Sequence, residues 1–220
     1  MRKFTYIAAV AFATAPVGSY AQNADAVIDR AVAAYAQLNS MRAEFIQTLT
    51  NPLTGSSQTT SGVILRKKPN FLSIDFESGD RVAADGSTLW VYLPSSVPGQ
   101  VVRMPYTSGN ASSVDPAEQF LNSPRAHFTV TSSGTATVGG RATHAITLVP
   151  KRANANLTNA KVWIDDNDSS IRQFDVENAS GLKRHVVITS FQANPELSRS
   201  SFKFAVPKGA KIVDQAAGTF

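Results

Sequence analysis

Cysteine is absent from all 220 residues, which excludes a disulfide framework, thiolate metal sites, thiol catalysis and any lipid anchor attached through Cys. Histidine is scarce as well. The three present, His127, His144 and His185, lie far apart, and none belongs to a His-Glu-x-x-His arrangement, so all three read as ordinary strand residues and no metal is expected. No Gly-x-Ser-x-Gly elbow, phosphate-cradling glycine loop or dinucleotide fingerprint occurs, which leaves no motif for an enzyme or a cofactor. The run Asp165-Asp166-Asn167-Asp168 opens like a calcium loop, but the sixth position is Ser170 where Gly is needed and the twelfth is Val176 where Glu is needed. Nor is there a large excess of one charge. With 21 Lys+Arg against 16 Asp+Glu, the short basic runs Arg66-Lys67-Lys68, Lys151-Arg152 and Lys183-Arg184 are widely separated and lack interleaved aromatics. Nucleic acid is therefore not an expected partner.

A long hydrophobic run is missing too, except at the start. Arg2 and Lys3 precede an apolar stretch from Phe4 to Ala15, shorter than the ~20 residues that span a bilayer. Pro16 and Gly18 break it, and Ser19-Tyr20-Ala21 supplies small residues where a signal peptidase reads. Residues 1–21 thus read as a signal peptide cut after Ala21, and residues 22–220 as one exported domain, with the periplasm as its expected compartment. The remaining 199 residues carry 19 Lys+Arg against 16 Asp+Glu, a mildly basic balance. With 43% apolar residues in the whole chain, the composition is that of a folded protein able to bury a core.

Residues 24–39 place Val27, Ala31, Ala34, Tyr35 and Leu38 at spacings of three and four, predicting an amphipathic helix with Asn23 or Asp25 as its cap. Beyond Ser40 the period becomes two. Strands are predicted over 42–50, 59–66, 71–77, 81–84, 88–93, 100–104, 127–131, 135–138, 142–149, 160–165, 171–177, 183–191 and 211–213. Asp85-Gly86 and Gly139-Gly140 can take the positive φ that tight hairpins need. About a dozen strands joined this way form an antiparallel meander that curls, because a flat sheet of that width is rare. One insertion interrupts it: a Ser-, Gly- and Asn-rich loop after Met104, then Asp115-Pro116-Ala117-Glu118, predicting a short helix with Asp115 as cap, Pro116 first and Glu118 closing a capping box. Leu72, Ile74 and Phe76 alternate onto one unbroken apolar face. Periodicity alone does not tell a sheet packed solid from a hollow one.

Gly62-Val63-Ile64-Leu65-Arg66-Lys67-Lys68-Pro69-Asn70-Phe71-Leu72 followed by Val82 to Tyr92 resembles the signature of the LolA family of periplasmic outer-membrane lipoprotein carriers. Phe45-Ile46-Gln47 is similar to the family's Phe-x-Gln strand, and Phe202-Lys203-Phe204-Ala205-Val206-Pro207-Lys208-Gly209 to its closing motif. The resemblance implies an unclosed, strongly curved antiparallel β-barrel covered by a helical lid, with acyl chains bound between them. It implies acylated lipoproteins as cargo, an inner-membrane ABC transporter of the LolCDE type as donor, and an outer-membrane receptor. That receptor is itself anchored through a lipidated cysteine, so a chain without Cys would be the soluble, monomeric shuttle. Partial binding suits such a role: a buried methylene is worth about 0.8 kcal/mol, and complete sequestration of three chains would exceed the ~20 kcal/mol ceiling of reversible affinity.

On strand parity, the acyl-binding residues are expected to be Leu49, Ile64, Leu72, Ile74 and Phe76, with Phe120 and Leu121 from the lid and Ile146, Leu148, Ile164 and Phe174 from the far wall. The family's lid is latched by an Arg before the Pro of this motif. Here Lys68 holds that position, a cation without a planar fork, with Arg66 as the alternative. Two other functions compete: a periplasmic sensor that binds stray lipids or lipoproteins, of a kind that carries a second domain for which this chain has no room, and a secreted hydrolase with a scattered site.

Overall fold

The structure, a computed structural model, describes residues 24–216; the expected signal peptide with its cut after Ala21 and the candidate cap Asn23 lie outside the described residues. Helix α1 (Ala24–Gln37) buries Val27, Ile28, Ala31 and Tyr35. Because the helix begins one residue earlier, Asp25 sits inside its first turn, where a negative charge favours the N-terminal end of the backbone dipole, and is not the cap.

The strands are β1 (Ser40–Thr50), β2 (Ser57–Lys67), β3 (Phe71–Phe76), β4 (Arg81–Asp85), β5 (Thr88–Tyr92), β6 (Gln100–Pro105), β7 (Phe128–Val138), β8 (Arg141–Pro150), β9 (Asn159–Asp165), β10 (Ile171–Glu177), β11 (Lys183–Ala193) and β12 (Lys211–Asp214). They form one sheet in the order β12-β6-β5-β4-β3-β2-β1-β11-β10-β9-β8-β7. Every pairing is antiparallel except that of β12 with β6, and β12 and β7 stay apart as its two edges, so the sheet does not close. β1 is the seam: its hairpin partner β2 continues one half of the sheet, and β11 returns on its other side to begin the second half.

Local chemistry explains the turns. Gly139 and Gly140 both take positive φ, +55° and +77°, in the two-residue connection between Val138 and Arg141. Gly62 is required for a different reason: a Cβ there would come within 2.5 Å of the Asp75 carbonyl and 2.7 Å of the Phe45 ring.

The structure corrects several expectations. Segments 127–131 and 135–138 are one strand, β7, joined through a bulge between Ser132 and Thr135 with Gly134 at φ +90°. The Ser-, Gly- and Asn-rich stretch expected as loop contains helix α2 (Ser108–Val114). Its intrinsic helix propensity is poor, but Asn110 ties it down, accepting from the Thr107 N–H at 2.8 Å and donating to the Pro105 carbonyl at 2.8 Å. Helix α3 (Pro116–Leu121) starts as predicted, with the Asp115 carboxylate accepting from the Ala117 N–H at 2.9 Å. Its capping box does not form, because the Asp115 N–H is already spent on the Ala111 carbonyl that closes α2. Helix α4 (Pro124–His127) makes His127 helical and not a strand residue. A single 3-10 turn, Arg199–Phe202, was not signalled either.

The helices gather on one side of the sheet. α1 lies against α3 and strands β7 to β9, and most buried apolar residues form one cluster between the helices and the inner face of the sheet. The chain from Pro195 to Ala210 runs over the other, outer face and then joins the edge of the sheet as β12. Phe202 is fully buried against Phe71, and Phe204 stacks on Trp90 with ring centroids 5.5 Å apart.

Candidate functional site

Strand register places inner-face residues in rows that cross the sheet. Ala43, Ile64, Ile74, Val82, Val91 and Val102 form one row of aliphatic side chains from β1 to β6. A neighbouring row, Met41, Arg66, Leu72, Ala84, Leu89 and Met104, is apolar apart from Arg66. Across the other half run Gln47, Val186, Phe174, Val162 and Ile146, and beside them Leu49, Arg184, Val176, Ala160, Leu148 and Val130. One face of the sheet is thus a broad apolar surface carrying two guanidinium groups.

The helices close that surface. Phe120 of α3 is fully buried with its ring 5.3 Å from that of Phe174, and Leu121 is buried beside it. Between cover and sheet remains a cleft of about 20 Å³, lined by Tyr35, Met41, Ala43, Ile64, Pro116, Ala117, Ile171, Phe174, Ile188 and Phe191. That is room for about one water molecule. The hollow implied by the resemblance is filled here by the protein's own side chains, so an acyl chain can enter only if the cover moves.

The fastenings of that cover are side chains alone. Within residues 108–121 the main-chain hydrogen bonds stay inside the segment or its own cap, and none reaches the sheet among the described residues. Arg66 bridges the gap, with its Nε 2.8 Å from an Asp115 carboxylate oxygen and its Nη2 2.5 Å from Glu118. Burial pushes the Asp115 carboxyl above its ordinary pKa, opposed by the Arg66 charge. Tyr106, at the entry to α2, is also pushed up by burial. Around this pair opens a second, more polar cleft of about 80 Å³, lined in part by Pro69, Asn70, Phe71 and Thr107, which brings room for water to the ion pair itself. Lys68 does not reach α3. Its Nζ donates to the Ala36 carbonyl at 2.5 Å, at the C-terminal turn of α1, where a cation also suits the helix dipole. Arg66 and Lys68 therefore hold different helices. On α1 itself, Tyr35 accepts from the Ile171 N–H at 3.3 Å and burial raises its pKa to about 12.

Nine of the expected acyl-binding residues, Ile64, Leu72, Ile74, Phe120, Leu121, Ile146, Leu148, Ile164 and Phe174, lie in the main buried cluster, and Phe76 is half-buried against it. Leu49 is half-buried and stands outside the cluster, near the end of β1. Only Ile64 and Phe174 of the set line the residual cleft. Sequence reasoning missed Met41 and Ala43, which alternate with the buried Phe45 and were readable on that ground. Ile188 and Phe191 were harder. A bulge in β11, where Glu44 faces Ser190 but Phe45 faces Ile188, turns both inward although they are three residues apart.

His144 and His185 each pair with a carboxylate across strands, Asp166 and Asp175 respectively. Asp165 is the hub of a clasp with Arg141 at 2.6 Å and Arg172 at 2.9 Å, so the acidic turn after β9 is occupied by guanidinium groups.

An unclosed antiparallel sheet whose apolar face is covered by short helices defines the class of protein by its fold. The particular family is given by comparison with known proteins: the chain belongs to the LolA family, the outer membrane lipoprotein carrier proteins, whose profile matches residues 36–205. The outer-membrane lipoprotein carrier protein of Serratia proteamaculans is 28% identical over 182 residues, covering 82% of this chain and 84% of that one. Its counterpart from Haemophilus influenzae strain Rd is 27% identical over 187 residues, covering 82% and 83%. Among solved structures, an uncharacterized conserved protein of Thermus thermophilus superposes with a TM-score of 0.57 at 13% identity, covering 88% of this chain and all of that one, a likeness of fold. The family is one of transport proteins and not of enzymes, and lipoprotein carriage is its function.

Proposed function

We propose that this chain is a periplasmic shuttle that lays the acyl chains of lipoproteins on the inner face of its sheet. It would receive them from an inner-membrane ABC transporter of the LolCDE type and pass them to a receptor at the outer membrane. The observation that carries this reading is the mismatch between the two sides of the cleft. The sheet offers largely apolar rows to α2 and α3, yet among the described residues only side chains bind those helices to it.

Release of Arg66 from Asp115 and Glu118 would let the pair of short helices swing about Tyr106 and Thr107, exposing Phe174, Ile64 and the rows around them. The exposed surface would be costly in water and well matched to hydrocarbon, so opening and ligand uptake would be coupled. No helix among the described residues is long and apolar enough to cross a membrane, consistent with a carrier that travels between two membranes.

The test is a release assay. A radiolabelled lipoprotein held in inner-membrane vesicles with transporter and ATP should pass to the supernatant when this protein is added, and stay in the pellet without it. Label that stays with the vesicles in both cases contradicts the reading.

A further inference from the structure

The two inner-face arginines occupy comparable places in different company. Arg66 meets two carboxylates of the helical cover. Arg184 meets none: among the described residues no carboxylate lies within ion-pair distance of it. Its Nη2 makes one long contact, 3.4 Å, to the Gln119 side-chain oxygen of α3, and its guanidinium lies over the Phe174 ring, 5.6 Å from the centroid. Burial lowers its pKa, as expected of a cation on an apolar wall. An arginine cannot shed its proton to escape that cost, and it carries five donors and no acceptor.

Its position is equally informative. In the row Leu49, Arg184, Val176, Ala160, Leu148 and Val130, it is the one polar group. It stands one residue from the start of β11, beside the half-buried Leu49, where the apolar face gives way to the hairpin turns at its edge. Gln119 and Phe120 are neighbours on α3, one touching Arg184 and the other Phe174. Lifting α3 therefore strips both at once, leaving Arg184 bare at the rim of this part of the apolar wall, as it leaves Arg66 bare on the other half of the sheet.

We propose that Arg184 recognises the polar junction of the ligand: it donates hydrogen bonds to the ester carbonyl oxygens of a diacylglyceryl unit whose chains lie along the rows beside it. This rests on the acyl-binding reading above and adds where the ligand's polar end sits. Ester carbonyls are acceptors only, which complements a group that only donates. The diacylglyceryl unit occurs in both an acylated lipoprotein and a membrane phospholipid, so the chemistry is shared and the source is for the experiment to name.

Affinity of the full chain is measured for three ligands of equal acyl length: a diacylglyceryl-cysteinyl peptide, its dialkyl ether analogue without the carbonyls, and phosphatidylglycerol. The wild-type protein should bind the ester peptide about tenfold more tightly than the ether, the range of hydrogen bonds to a charged donor. In Arg184→Met the ester-to-ether ratio should fall to about one, with Arg184→Lys in between. Equal affinity of the wild type for ester and ether overturns the proposal without need of any variant, and so does an ester preference that survives Arg184→Met. Phosphatidylglycerol binding with the same dependence on Arg184 would make the recognition one of diacylglyceryl lipids in general; binding confined to the peptide would make it one of lipoproteins. Failure of all three ligands to bind would instead sink the acyl-carrier reading on which this one stands.

Discussion

The sheet is covered on both faces, and the two coverings are built on opposite principles. On the outer face, the segment from Pro195 to Asp214 is anchored by aromatic side chains and then by backbone: Phe202 on Phe71, Phe204 on Trp90, and β12 paired along β6. The Lys211 N–H donates to the Gly99 carbonyl at 2.8 Å, the Gln215 N–H to the Arg103 carbonyl at 2.9 Å, and Arg103 grips Asp214 at 2.6 Å. On the inner face, α2 and α3 bury Ala111, Ala117, Phe120 and Leu121 but, among the described residues, share no main-chain hydrogen bond with the sheet. A covering zipped in by a strand must lose its ladder to detach. A covering held by packing and one forked ion pair can leave as a unit, and exposed apolar surface is then its only large penalty.

Equal truncations on the two faces should therefore have unequal effects. Phe202→Ala empties a fully buried site within the anchored strap and should cost about 3–5 kcal/mol of stability in chemical denaturation. Phe120→Ala removes an equally buried ring from the helical cover and should cost less, about 2 kcal/mol, if the cover opens as proposed without unfolding the sheet. A Phe120 penalty as large as that of Phe202 would erase the distinction. Arg66→Met should speed amide exchange in α3 about tenfold while leaving β12 unchanged, since the fork is the cover's one ion pair to the sheet.

The smallest effect is a matter of order in acid. Burial raises the Asp115 pKa on the cover side, whereas the hydrogen bond from Arg103 lowers that of Asp214 on the strap side. An unfolded Asp titrates near ~3.9. The Asp214 contribution is thus present above that value and is lost only as pH falls through its lower folded pKa. Asp115 takes up its proton above that value as pH falls, and its burial penalty, felt at neutral pH, is relieved in acid. Carboxyl-carbon NMR should show Asp115 protonating at higher pH than Asp214, and the reverse order would contradict the electrostatic side of the comparison.

The sheet was legible in the sequence because alternation at Leu72, Ile74 and Phe76 and the glycine pair at 139–140 are local signals. What could not be read arises from contacts distant in sequence or, for α2, from side-chain bonds that propensity does not register. Helix α2 exists in a helix-poor stretch because Asn110 and its burial override propensity. Ile188 and Phe191 face inward together because of a bulge that no periodicity announces. Glu118, expected to close a capping box, is redirected to Arg66, 52 residues away. The site was legible as an apolar face. The division of labour between Lys68 on α1 and Arg66 on α3, and the meeting of Arg184 with Gln119 and no carboxylate among the described residues, depended on which helix each cation meets in space.

Since the native chain has no cysteine, spin labels can be placed at will, and one distance decides whether the cover moves. Labels at Ser113→Cys on α2 and Thr131→Cys on β7, both exposed, report the cover; labels at Lys203→Cys and Thr131→Cys report the strap. On adding a triacylated lipopeptide, the first distance should lengthen and broaden by several ångström while the second stays fixed. Saturated binding of the lipopeptide with both distances unchanged would mean that the acyl chains lie somewhere other than beneath α2 and α3.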